Sequence, residues 1–152
     1  RLLLAILQPF LGELFQQMTK EVVRESFSNR TLTLEQFLRN FIANRARFLA
    51  ENRHVFRVLV KEMMYNDELR DAVKAYAARH IPPALNLIVN QFKGKGEMAD
   101  LPAETVLNLA ATYLGGFFVS RFVFMDRDDI SDEEIEEAVR FLMGGIGNRG
   151  AS

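Results

Sequence analysis

Few of the residue types that do chemistry stand in workable patterns in this chain. It has no cysteine and two histidines, His54 and His80. The lack of cysteine removes disulfides, thiolate metal sites and thiol nucleophiles. The histidines lie on different segments with no close carboxylate motif, so they do not make a metal site. Asp126, Asp128 and Glu137 fall at positions one, three and twelve of a calcium loop, but position six is Ser131, where a glycine is needed. Gly145-Ile-Gly-Asn-Arg-Gly150 matches G-x-G-x-x-G. A dinucleotide site needs a strand before it and a helix after it, and neither is expected here. Gly94-Lys95-Gly96 lacks the first glycine and the Ser/Thr of a phosphate loop. No Gly-x-Ser-x-Gly elbow is present. The expectation is a protein with no catalytic residues, no metal and no cofactor.

What remains is polar residues in phase with apolar faces. Asn44 and Arg45 lie between Phe41 and Phe48, Tyr76 and His80 share a stripe, and Tyr113 and Arg121 share another. Each alone reads as structural: a satisfied hydroxyl, a snorkelling arginine, a paired core histidine. With thirteen phenylalanines and six methionines, they also fit an apolar cavity carrying a few polar anchors. The expected lining is Phe41, Met63, Tyr76, Tyr113 and Phe117, with Asn44, Arg45, His80 or Arg121 as polar contacts. The expected ligand is small and lipophilic or aromatic, with an anionic or hydroxyl group as an option.

The elements that must position these residues all read as helices. At 152 residues, 49% hydrophobic and 26% charged, the chain suits one domain with a real core. Net charge is −1 and there is no basic cluster, so this stretch is not expected to touch nucleic acid by itself. Apolar residues recur at helical spacing nearly throughout and no stretch alternates with period two. The fold class is therefore all-α, about six helices in one domain over residues 1–152. A first helix runs from Leu2 to about Phe27, with Pro9 a kink or an early-turn residue. Its apolar start, RLLLAIL, does not continue into a signal-peptide cleavage site. Thr33 and Gln36 make a capping box. The stripe restarts in a new phase near Asn52-Arg53, and Asn66-Asp67 caps the next helix. Pro82-Pro83 is expected to kink that segment or divide it, aiming Tyr76 and His80 inward. GKGEMADLP is a loop, a helix follows from Pro102 to about Met125, and Ser131 with Glu134 caps the last one.

Gly115 and Gly116 sit inside the helix from Pro102, although an interior glycine costs about 1 kcal/mol relative to alanine. Ala111 with Gly115, and Thr112 with Gly116, form a strip of small residues. The helix is apolar on two faces: Val106, Ala110, Tyr113, Phe117 and Phe124 on one, Leu107, Leu114, Phe118 and Phe122 on the other. Asn108 and Arg121 are expensive in lipid, so no membrane span is expected. Small residues let a second helix approach closely. Either an intrachain crossing or a second copy of the chain fills that role. The expected homodimer face is Ala111, Thr112, Gly115, Gly116, Phe118 and Phe122, with Ile135, Val139 and Leu142 of the last helix.

The order of segments resembles a known family. FLAENRHVFRVLVKEMMYNDELRDAV, then IPPALNLIVNQFKGKGEMADLPAETVLNLAATYLGGFFVSRFVF, then ISDEEIEEAVRFLMGGI resemble the ligand-sensing part of TetR-family transcriptional regulators. LLLAIL resembles the helix that in that family follows the DNA-reading domain. The resemblance covers nearly the whole chain. It implies a cytoplasmic homodimer joined by a four-helix bundle of the last two helices, and an effector pocket enclosed between Leu2 and Phe124. The family's helix-turn-helix is absent from this sequence, which starts within a helix and without methionine. The expectation is a fragment whose operator DNA is read only by a domain upstream. The competing expectations are a helical enzyme or small-molecule carrier with no DNA-binding role, and a plain helical interaction module.

Overall fold

The computed structural model of the chain describes residues 2–28 and 32–147. Six helices occupy them: α1 (Leu2–Ser28), α2 (Leu34–Glu51), α3 (Arg53–Met63), α4 (Asp67–Gly94), α5 (Ala103–Val119) and α6 (Asp132–Ile146). A π-helical turn, Ser120–Phe124, extends α5. No strand occurs among the described residues; the single bridge between Met98 and Gly147 ties a loop to the end of α6. Residues 29–31 and the end of the glycine motif beyond Gly147 lie outside the described residues.

The starts and stops follow local chemistry. Thr33 Oγ1 accepts from Gln36 N at 3.1 Å and Gln36 Oε1 accepts from Thr33 N at 3.0 Å, closing a capping box over two orphan donors. Ser131 and Glu134 repeat the arrangement at α6. Asn66 Oδ1 caps α4 by accepting from Leu69 N at 3.0 Å. At Asn52 the chain leaves helical geometry for one residue, which separates α2 from α3. Pro9 lies inside α1. Pro82 and Pro83 do not divide α4, which stays helical from Asp67 to Gly94. Both rings face solvent, and so do Ala78 and Arg79, whose carbonyls the prolines deprive of donors. Water can satisfy those carbonyls, so the helix continues.

The long helices α1 and α4 lie along each other, and α6 lies along α2. Arg39 of α2 fastens that second pair, donating from Nε to both carboxylate oxygens of Glu136 at 2.7 and 2.8 Å. Phenylalanines join the layers. Phe10 stacks on Phe48 with centroids 5.5 Å apart, and Phe56 meets Phe122 edge-on at 6.4 Å. Such pairs add about 0.5–1.5 kcal/mol beyond the area they bury. Leu7, Leu11, Ile42, Leu69 and Phe92 are fully covered between them.

The π turn changes the register of everything after it. Met125 N reaches back to Ser120 O at 2.8 Å, five residues rather than four. The extra residue rotates the following side chains. Phe122 is fully buried, while Phe124, expected to continue the Val106–Phe117 face, is 86% exposed.

An apolar cavity and an open helix face

The first five helices line a cavity of about 400 Å³ that is partly open to solvent. Leu14 and Met18 come from α1, Phe41 and Arg45 from α2, Leu59 and Met63 from α3, Ala84 and Ile88 from α4, and Leu107, Leu114 and Phe118 from α5. The void lies among these five helices. Its size falls within the usual range for small-molecule sites.

Of the residues read from the sequence as ligand contacts, Phe41, Arg45 and Met63 line this cavity. Asn44 stands behind Arg45, its Oδ1 accepting from Arg45 Nε and Nη2 at 2.9 and 2.7 Å. Tyr76 and His80 stay outside it, stacked on each other at 6.3 Å, with Tyr76 also against Phe15. His80 Nε2 is buried and has no hydrogen-bond partner among the described residues.

The two faces of α5 are exchanged relative to expectation. Tyr113, Phe117 and Arg121 turn away from the cavity toward α6. Tyr113 stacks on Phe141 at 4.7 Å, and the Arg121 guanidinium lies 4.1 Å over Phe117. The face carrying Leu107, Leu114 and Phe118 lines the cavity instead. Phe118, Phe122, Ile135, Val139 and Leu142 were expected at a dimer face, but the chain itself buries them. The last three lie on the side of α6 that α2 covers, and Phe122 meets Phe56, so none is free for a second subunit. Ala111, Thr112, Gly115 and Gly116 are exposed. A methyl group built on Gly115 or Gly116 would meet no atom within 4 Å. The glycines therefore relieve no crossing within the chain.

That open face is extensive. Leu109 is 55% exposed and Phe141 65%. Ala103–Phe124 is long and apolar enough to cross a membrane by length and composition, and only 22% of its most apolar window is buried by the chain. Two of the small residues, Ala111 and Gly115, are exposed and line the cavity, while Thr112 and Gly116 are exposed and take no part in it.

A paired-charge corner fixes the far end of α5. Glu134 accepts from Arg121 Nε and Arg127 Nη1, each at 2.8 Å. The Arg127 guanidinium, with help from Arg121 and the Ser131 cap, holds the Glu134 carboxyl well below the usual carboxylate range against the opposing effect of burial. Arg57 of α3 donates to Phe122 O at 2.7 Å and Arg127 O at 2.8 Å. It thereby occupies carbonyls at the π turn and the bend after it, where Asp126 takes a positive φ of 56°. Sequence reasoning passed over Arg57, because nothing in its neighbourhood announces a π turn.

Among the described residues no group of three His, Cys, Asp or Glu side chains could hold a metal ion. No protein-family model matches the chain, and no curated protein or solved structure matches it either.

Proposed function

We propose that this chain is the effector-binding and dimerisation domain of a TetR-type transcriptional regulator, in which a small lipophilic ligand shifts the DNA-binding competence of the intact dimer. The observation that carries the reading is that α5 lines the cavity through Leu107, Leu114 and Phe118 while its Leu109, Thr112 and Gly116 stand exposed outside the lining. A ligand that reshapes the cavity moves α5, and the outer side of the same stretch is an uncovered strip of small residues. A second copy packed on that strip would sense the movement. The linkage requires only that the ligand bind two arrangements of the dimer unequally. DNA contact belongs to a basic three-helix segment upstream of Arg1, so the coding sequence there is a direct check.

The resemblance in segment order and the all-helical architecture around an apolar void support the same reading. A membrane-spanning role for α5 is disfavoured by Asn108 on the exposed side and by the ion pair of Arg121, both costly in lipid.

The experiment is sedimentation of the unmodified chain and of Gly116→Leu at micromolar concentration. The reading expects a dimer burying roughly 1,200 Å² or more. Gly116 has open space around it and takes no part in the cavity lining. Leucine there should leave the fold and helix content intact while giving monomer. A monomeric unmodified chain, or a Gly116→Leu dimer as tight as the original, overturns the dimer half of the reading.

A further inference from the structure

Among the described residues, Arg45 is the one charged side chain that the fold buries, at 6% exposure. A buried cation costs several kcal/mol unless opposite charge and hydrogen bonds compensate it. The partners of Arg45 are all neutral. Nε and Nη2 donate to Asn44 Oδ1, Nη1 donates to Leu14 O at 3.2 Å, and the Phe48 ring lies 4.8 Å from the guanidinium carbon. No carboxylate among the described residues pairs with it. Glu21, the acidic group that influences it, is bonded to Arg24 at 2.6 Å. Burial accordingly lowers the Arg45 pKa from its ordinary value, and Glu21 opposes that only in part. A guanidinium has five N–H donors. The bonds above use one on each nitrogen, leaving a hydrogen on Nη1 and another on Nη2 without an acceptor among the described residues.

Those two hydrogens belong to a side chain that lines an otherwise apolar cavity. A carboxylate would supply the missing charge and two acceptor oxygens in the fork geometry that suits a guanidinium. A phosphate dianion would bring more charge than one arginine balances. The remaining wall is flexible and aliphatic, including Leu14, Met18, Met63, Ile88 and Leu114, and methionine adapts to an alkyl chain. A void of about 400 Å³ lies at the lower end of the range for small-molecule sites, which suits a chain of medium length.

We propose that the cavity takes a single-chain carboxylic acid of medium length, its carboxylate on Arg45 and its alkyl chain in the void. The proposal rests on the effector-binding reading above and specifies its ligand class.

Calorimetric titration of the chain with decanoate and with 1-decanol separates the two claims, because the probes share a tail and differ in the head. Decanoate should bind at least tenfold more tightly than decanol to the unmodified chain, by the strength of a bidentate charge-assisted pair, roughly. In Arg45→Met that preference should vanish while decanol binding persists. Equal affinities for the unmodified chain, or a preference that survives Arg45→Met, would overturn the carboxylate assignment and leave the cavity reading standing. Binding of neither probe overturns both. Should Arg45→Met fail to fold, Arg45→Lys serves instead. Its ammonium keeps charge without the fork, so the decanoate preference should shrink, and an unchanged preference would count against Arg45 as the anchor.

Discussion

Arg45 and Arg121 each lay a guanidinium over a phenylalanine ring, at 4.8 and 4.1 Å, in opposite electrostatic surroundings. Arg121 is bonded to Glu134, which Arg127 also holds, and the Ser131 cap completes the cluster. Arg45 is more deeply buried and has only an amide oxygen, a backbone carbonyl and a ring. Similar side chains in similar contacts therefore do different things. The corner around Glu134 is complete without a ligand and locks the π turn to α6. The interior around Arg45 is electrostatically incomplete, and it borders a void. The corner supplies a fixed end to α5, and the cavity supplies a place where something can press on that helix.

The sharpest way to break this contrast is to remove charge from each region in turn. Glu134→Gln deprives two arginines of their carboxylate and should lower stability by about 1.5–3 kcal/mol, the usual range for hydrogen bonds to charged groups. Arg45→Met should be neutral or stabilising by about 1 kcal/mol, since replacing an uncompensated buried charge with an apolar side chain of similar length removes a desolvation cost. Urea denaturation of both variants measures this. A large loss at Arg45 and none at Glu134 would invert the account.

Acid distinguishes the regions next. The Glu134 carboxyl has its pKa depressed in the folded chain below an unfolded value of about 4.3. Its contribution is therefore complete above that pH and drains away as the pH falls below it toward the folded value. Unfolding followed between pH 6 and pH 3 should show a shallower loss of stability in Glu134→Gln than in the unmodified chain. The slope should be unchanged by Arg45→Met. A smaller effect is expected from Ser131→Ala, which removes the cap but leaves both arginines on Glu134, at about 1 kcal/mol.

The same two regions divide what the sequence discloses from what it hides. Thr33 with Gln36, Ser131 with Glu134, and Asn66 announce helix starts through side-chain chemistry local to a few residues, and the helices begin there. Ile135, Val139 and Leu142 announce a buried stripe, and they are buried. Periodicity cannot say what covers a stripe, which is why those residues, expected at a dimer face, turn out to pack beneath α2. Nor can it tell an apolar residue facing core from one facing a void. Phe41, Arg45 and Met63 reach the cavity, whereas Tyr113, Phe117 and Arg121 reach α6, because α5 carries two apolar faces and nothing local distinguishes them. Phe124 is misread for a related reason. One extra residue in the π turn shifts the phase, and that residue is accommodated by Arg57, more than sixty positions away in the chain.

The central claim is that the cavity and the outer strip of α5 communicate through that helix. Sedimentation equilibrium of the chain with and without saturating decanoate tests it most directly. A ligand that discriminates between arrangements of the dimer must change the dimer dissociation constant, and the dimer must change the ligand's affinity by the same factor. The account predicts a shift of at least about fivefold, the low end of typical coupling energies, abolished in Arg45→Met together with the carboxylate preference. A dimer whose dissociation constant stays the same while decanoate demonstrably occupies the cavity would contradict it.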